Sequence, residues 1–185
     1  SFYLRSLCLN LTEMVRPKKS LGQHFLTDQN LARKITENLL AENYNTVIEI
    51  GPGKGILTAF LLKKQNISLI PIEIDLEASA FLTDHFPELR NTLITGDFLK
   101  TDLSLFGEAI GIIGNLPYNI SSQIFFRILE NHQRVREVVC MIQKEVAERI
   151  ISPPGNKSYG ILSVLLQTWY DINLLFTVHP GSFFP

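Results

Sequence analysis

Short apolar runs alternate with stretches whose apolar residues recur at helical spacing through most of this chain. TVIEI at 46–50 is β-branched and stops at Gly51, the pattern of a buried strand. GILTAFLLKK at 55–64 has apolar residues at helical spacing and ends on lysines, which suit the negative end of a helix. SLIPIEID at 68–75 predicts a second strand, with Pro71 pointing to a place near a sheet edge. LEASAFLTDHF at 76–86 predicts a helix and NTLITGD at 91–97 a third strand. AIGIIGN at 109–115 predicts a fourth strand, followed by a helix over Ser121–Glu130. VREVVCMIQ at 135–143 predicts a fifth strand, KEVAERII at 144–151 a short helix, and SPPGNKS a loop. YGILSVLLQTWY at 159–170 predicts a helix, and INLLFTV at 172–178 a sixth strand. This β-α alternation predicts an α/β domain with a mainly parallel sheet and helices on both faces.

Composition narrows the class. The chain has 185 residues, 45% hydrophobic and 19% charged, enough for one domain with a real core and too apolar for general disorder. Seventeen Lys and Arg against eighteen Asp and Glu give a net charge of −1, which excludes a uniformly basic coat for nucleic acid. The charge is unevenly spread: residues 1–34 carry six basic and two acidic groups, residues 35–108 five basic and eleven acidic. Two cysteines, Cys8 and Cys140, without a CxxC argue against a disulfide framework or a zinc cage and fit a cytoplasmic protein. No apolar run approaches the roughly 18 residues of a membrane span. Met14 opens a more ordinary start, so residues 1–13 are expected to be an upstream extension or a cloning remnant.

Four strand ends carry chemistry. Glu49-Ile50-Gly51-Pro52-Gly53-Lys54-Gly55 follows the first strand; its glycines let a ligand approach the backbone at the start of a helix. The spacing is GxGxG and no P-loop motif occurs. Glu73 ends the second strand, where a carboxylate can accept both hydroxyls of a ribose; NAD and S-adenosylmethionine satisfy that spacing equally. Gly96-Asp97-Phe98 ends the third strand: Asp97 suits an exocyclic amine and Phe98 a base face, while an Asx turn with a core Phe explains the same residues. Asn115-Leu116-Pro117-Tyr118 follows the fourth strand and is the most specific signal. An Asn oxygen and the carbonyl before a proline can each accept one N–H of an aromatic amine, leaving its lone pair available for attack. Pro117 fixes the turn, and Tyr118 offers a stacking face.

With these residues in view, the chain resembles the ribosomal RNA adenine dimethyltransferase family, in its bacterial small-subunit (KsgA-type) branch. SLGQHFL, EIGPGKGILT, IEID, GDFLKTD, NLPYNISS, QKEVAERI, YGILSVLLQ and VHPGSFFP stand in that family's order, over residues 16–185. The resemblance implies a class I S-adenosylmethionine-dependent methyltransferase fold, Rossmann-like. It implies N6-dimethylation of two adjacent adenines in a hairpin near the 3′ end of small-subunit rRNA, in an assembling 30S-type particle. A cytoplasmic monomer without a membrane or metal partner is expected. Gln23, His24 (through its backbone) and Leu26 are implied to border the methionine end of the donor, with Gly51 and Gly53. Glu73 is implied at the ribose, Asp97 and Phe98 at the adenine, Asn115 and the Leu116 carbonyl at the target amine, and Tyr118 and Phe183 around the target base. Arg16, Lys18, Lys19, Lys144 and Arg149 are implied at the RNA, with Arg134, Arg136 and Lys157 as further candidates. Catalysis would rest on orientation and electrostatics without a catalytic His. The family continues past Phe183-Phe184-Pro185 into a strand between the fifth and sixth and a helical domain, so residues 14–185 are expected to be a catalytic domain incomplete at its C-terminus. The related large-subunit adenine methyltransferases of the antibiotic-resistance type, a non-catalytic assembly factor and an NAD-dependent oxidoreductase remain as alternatives.

Overall fold

The computed structural model describes residue 26 and residues 28–177. Five parallel strands form one sheet in the order β3-β2-β1-β4-β5, with β1 Thr46–Ile50, β2 Ser68–Glu73, β3 Ile94–Thr95, β4 Ile110–Asn115 and β5 Val135–Met141. The helices are α1 Gln29–Glu37, α2 Thr58–Leu61, α3 Leu76–His85, α4 Ser121–Glu130, α5 Lys144–Ile151 and α6 Ile161–Trp169. Strand order reverses between β1 and β4, which creates a crevice at their C-terminal ends where open α/β sheets bind ligands.

The central strands are apolar on both faces because helices cover both. Ile48, Ile50, Ile112, Val138 and Cys140 point into a core shared with α4, α5 and α6. Val47, Ile113, Val139 and Met141 point the other way, into a core shared with α1, α2 and α3. The pleat assigns neighbouring residues to opposite layers. The α5–α6 pair is fastened through side chains: Gln167 Nε2 donates to the carbonyls of Ile150 (2.7 Å) and Ser152 (2.9 Å), and Ser163 Oγ donates to that of Arg149 (2.6 Å).

Several expected elements differ in extent, each for a local reason. The second helix is expected from residue 55, but Gly55 has φ +77° and helix is assigned only over Thr58–Leu61. The third strand shrinks to Ile94–Thr95, because Pro87–Asn91 coils into a 3-10 turn and Asp97 caps another. Pro71 is expected near an edge, yet β2 lies between β1 and β3. The ladder explains the tolerance. Ile72 offers its carbonyl to Gly51 on the β1 side, and Glu73 offers its own to Gly96 on the β3 side. By alternation Pro71 faces β3, whose pairing starts only opposite Ile72, so the missing N–H leaves no ladder bond unmade.

Residues 172–177, expected as a sixth strand, have no regular structure. Among the described residues no strand lies on that side of β5, so this segment finds no backbone ladder there. Ile172 packs on one core and Phe176 on the other. The pattern reading assigns no element to 29–37, although the signals are present: Asp28 caps the helix by accepting from Asn30 (2.8 Å) and Leu31 (3.1 Å), and Ala32, Ile35 and Thr36 form its buried stripe.

Candidate active site at the strand ends

Glycine turns at the end of β1 open the crevice. Gly51 and Gly53 have φ +61° and +56°, conformations in which a side chain would be strained, and among the described residues, its two chain neighbours aside, nothing lies within 4 Å of where a Cβ on Gly51 would stand. Leu26, Glu49, Gly51, Pro52 and Asn115 line this crevice together. The helix that follows is assigned only from Thr58, and Ile56 and Leu57 just before it also line the crevice.

Glu49 lies beneath the turn, 1% exposed. Its Oε2 accepts from the Thr58 hydroxyl at 2.7 Å, while buried Oε1 accepts no hydrogen bond among the described residues. Burial pushes its carboxyl up to about 8; the Thr58 bond opposes the shift and the nearby Glu73 charge adds to it. An acceptor left open beside a crevice calls for a donor or cation from outside. Sequence reasoning quoted this residue as the start of the glycine motif and gave it no role. An acid in the interior of an apolar strand was the available signal.

Glu73 sits where the sequence expects it, at the end of β2, but its surroundings differ from those of a solvated strand-end acid. It is buried, with Oε2 accepting from Gly53 N–H (2.9 Å) and Oε1 from Asp75 N–H (2.9 Å). Burial pushes its carboxyl up, and these backbone bonds pull it back. Glu73 therefore holds the glycine turn in place before any ligand arrives, and each oxygen keeps a further lone pair.

Asp97 caps the turn after β3: Oδ1 accepts from Leu99 N–H at 2.9 Å, and Oδ2 lies 3.7 Å from Lys100 Nζ. Phe98 is 4% exposed and belongs to the core with Ile50 and Ile72. That arrangement is the Asx turn with a core Phe, and it gives the Phe98 ring a packing role rather than an open face.

The fourth strand delivers Asn115 to the crevice and Leu116 just beyond it. Leu116 N–H donates to the Met141 carbonyl at 3.0 Å, which fixes the turn against β5 and buries the Leu116 side chain. The Pro117 carbonyl accepts from Ile120 N–H (3.2 Å), leading into α4, and Tyr118 is half-buried at the turn. Arg127 on α4 donates to the Thr101 carbonyl at 2.9 Å, tying this helix to the Asp97 turn.

Lys144 and Arg149 lie on α5, which leaves β5 on the same rim as Asn115; Lys144 is 3.5 Å from Glu148. Arg134 and Arg136 stand at the start of β5, on the opposite rim, where Arg134 pairs with Glu108 at 2.9 Å. That placement separates both from the strand-end crevice. Lys157 is exposed in the loop between α5 and α6. Arg16, Lys18, Lys19, Gln23, His24 and Phe183 lie outside the described residues, as does the 1–13 extension. Among the described residues no helix is long and apolar enough to cross a membrane.

A parallel sheet in this order, with glycine turn, buried strand-end acids and Asn115 on one rim, is the class I S-adenosylmethionine-dependent methyltransferase fold. The family described as ribosomal RNA adenine dimethylase matches residues 14–185, and the chain belongs to it. Two relatives are both described as ribosomal RNA small subunit methyltransferase A. That of Parabacteroides distasonis is 50% identical over 173 residues, covering 93% of this chain and 65% of the relative. That of Porphyromonas gingivalis is 52% identical over 174 residues, covering 92% and 67%. The chain thus spans about two thirds of the length of these relatives. Among solved structures, a dimethyladenosine transferase from Plasmodium falciparum superposes with a TM-score of 0.65 at 30% identity, covering 78% of this chain and 52% of that one. The 23S rRNA methyltransferase ErmE gives 0.61 at 26% identity, covering 78% and 57%.

Proposed function

We propose that this chain is the donor-binding and catalytic part of an enzyme that transfers methyl groups from S-adenosylmethionine to N6 of two adjacent adenines in small-subunit ribosomal RNA. The observation that carries the reading is the single crevice shared by Gly51, the open Glu49 acceptor and Asn115. The small-subunit substrate is favoured over large-subunit RNA by 50–52% identity to the small-subunit relatives against 26% to ErmE. The particle acted on is an assembling small subunit, and the enzyme works as a cytoplasmic monomer.

S-adenosylmethionine supplies a methyl group made electrophilic by its sulfonium. The residues present suit it. Glu49 Oε1 is an acceptor for the ammonium of the methionine end, beside the open backbone of Gly51, with Gln23, His24 and Leu26 bordering the same end. The second lone pairs on Glu73 accept the ribose hydroxyls while its first pair keeps the Gly53 turn in place. Asp97 Oδ2 accepts from the adenine amine, and Phe98 supports that turn from beneath. Asn115 Oδ1 and the Leu116 carbonyl each hold one N–H of the target amine, so its lone pair faces the methyl. Tyr118 and Phe183 stack on the target base once it leaves its helix. The amine becomes strongly acidic only as it gains the methyl, so orientation precedes proton loss and no dedicated base is needed. Arg16, Lys18 and Lys19, with Lys144 and Arg149 on the same rim as Asn115, hold RNA phosphates. Each such contact adds about one unit to the salt slope of binding.

The test is Asn115→Ala in the full-length protein. Transfer of labelled methyl to under-methylated small-subunit particles is expected to be abolished while calorimetric binding of S-adenosylmethionine is nearly unchanged. Near-normal turnover by the variant, or equal activity on large-subunit RNA, would sink the assignment.

A further inference from the structure

At the rim opposite the crevice, one buried carboxylate gathers the chain between α1 and β1. Glu137, third residue of β5, is 4% exposed. Its Oε1 accepts from Leu40 N–H at 2.9 Å, and its Oε2 from Ala41 N–H at 3.0 Å and the Tyr44 hydroxyl at 2.5 Å. Lys64 Nζ, just beyond α2, donates to the Leu39 carbonyl at 2.7 Å. A connector of a few residues is thus held by side chains from β5 and from the α2–β2 link.

The connector is shaped to reach that carboxylate. Ala41 and Asn43 have φ +53° and +64°, in the left-handed region, where Ala is disfavoured. Such a conformation persists when the surroundings over-determine it, and the two N–H bonds to Glu137 do so. Gly111, the ladder partner of Glu137, makes room: a Cβ there would lie 2.5 Å from the Tyr44 ring. Loss of the carboxylate would leave two part-buried backbone donors and a phenol without an acceptor, and the connector free to relax.

Relaxation there bears on the other rim. Toward its N-terminus the connector becomes α1, whose Ala32, Ile35 and Thr36 are buried on the sheet face with Val47, Ile113 and Val139. The nine residues of α1 span about 13 Å, at about 1.5 Å per residue. At its far end stands Leu26, in the crevice with Glu49, Gly51 and Asn115. The helix is a strut with its foot at Glu137 and its head at the donor pocket.

We propose that Glu137 is a positioning residue for the donor pocket: by fixing residues 39–44 it sets where α1 lies along the sheet, and so where Leu26 stands in the crevice. This rests on the donor-binding reading of the crevice. The mechanism gives Glu137 no chemical part, and its bonds lie on the rim away from the reaction.

The experiment measures the full-length protein with S-adenosylmethionine as the probe. Glu137→Ala is expected to raise the donor Kd and KM about tenfold, the scale of one lost buried hydrogen bond, while kcat at saturating donor is largely kept. Glu137→Gln keeps an acceptor for the connector and should recover most of the affinity. Tyr44→Phe, the mildest change, should raise Kd about two- to threefold and report even if Glu137→Ala fails to fold. Leu166→Ala, in the core on the other sheet face, serves as a destabilised control and should leave Kd within about twofold. Hydrogen exchange across residues 31–40 should quicken in Glu137→Ala and Tyr44→Phe and not in Leu166→Ala. An unchanged Kd in Tyr44→Phe and in Glu137→Ala despite faster exchange would overturn the proposal, as would an equal loss of affinity in Leu166→Ala. If the unaltered protein failed to bind S-adenosylmethionine, the functional reading would fall and this one with it. Binding by that protein with a flat variant series would overturn the positioning role alone.

Discussion

Gly114 offers a sharp test of how the crevice is built, because it stands one residue before Asn115 and opposite Ile50 in the β1–β4 ladder. A Cβ at Gly114 would lie 2.5 Å from the Ile50 carbonyl oxygen and 3.2 Å from its nitrogen. Both obstacles are backbone, so no rotamer change removes them. Relief requires the strand ends to part by roughly 0.5–1 Å to restore ordinary contact distances. Overpacking of this kind costs about 1–3 kcal/mol. In a chain of this size about 2 kcal/mol lowers the midpoint of unfolding by about 4–8 °C. The functional cost is larger, since displacing Asn115 by about 1 Å is expected to reduce methyl transfer on the order of a hundredfold. The assay pairs thermal unfolding, followed by circular dichroism, with single-turnover methyl transfer well below the midpoint. A Gly114→Ala protein with its midpoint within about 1 °C of normal and unreduced turnover would refute the claim that close β1–β4 approach sets the crevice.

Three further expectations follow from the same geometry. Because burial raises the Glu49 carboxyl to about 8, the folded state holds a proton that the unfolded chain releases near the ordinary carboxylate value. This contribution is fully present at low pH and is lost as pH rises toward 8, at up to about 1.4 kcal/mol per pH unit. Glu49→Gln should flatten that part of the profile in chemical denaturation from pH 5 to 9, and an unchanged slope would contradict a buried, titrating Glu49. Arg127→Ala removes the bond from α4 to the Thr101 carbonyl, so about 1–2 kcal/mol of stability should be lost and exchange at residues 98–101 should quicken, as read by denaturant midpoints and amide exchange. Gln167→Ala unfastens α6 from the carbonyls of Ile150 and Ser152, with an expected loss of about 1–3 kcal/mol and donor binding unchanged by calorimetry.

The legible part of this fold was the part with strong periodicity and short range. The Ser121–Glu130 and Lys144–Ile151 helices, and the strands through residues 46–50 and 110–115, follow directly from apolar spacing and the residues that bound them. Strand-end position likewise brought Gly51, Glu73, Asp97 and Asn115 to one rim, because a parallel sheet sends all its C-terminal ends the same way. What stayed hidden depends on tertiary partners. The 172–178 run has strand composition, yet a strand exists only when a neighbour supplies its hydrogen bonds. Phe98 reads as a base-stacking ring with a core ring as the alternative, and only packing around Ile50 and Ile72 shows the second. Pro71 argues for an edge until the ladder shows which of its sides is paired. Nothing local marks the partners of Glu49 or Glu137: Thr58 for one and Leu40, Ala41 and Tyr44 for the other come from other elements.

The strand order also bears on how the protein emerges from the ribosome. The central strand β1 finds its first partner, β2, across the 51–67 crossover that holds α2, but its second, β4, begins only at Ile110. Until that stretch has been synthesised and released, one side of Thr46–Ile50 is an apolar edge with unpaired backbone groups. By the end of that interval the nascent domain has the three strands β3-β2-β1 and their helices, with an open β1 edge prone to wrong pairing. The crevice between β1 and β4 therefore comes into existence late in translation, in one step with closure of the sheet.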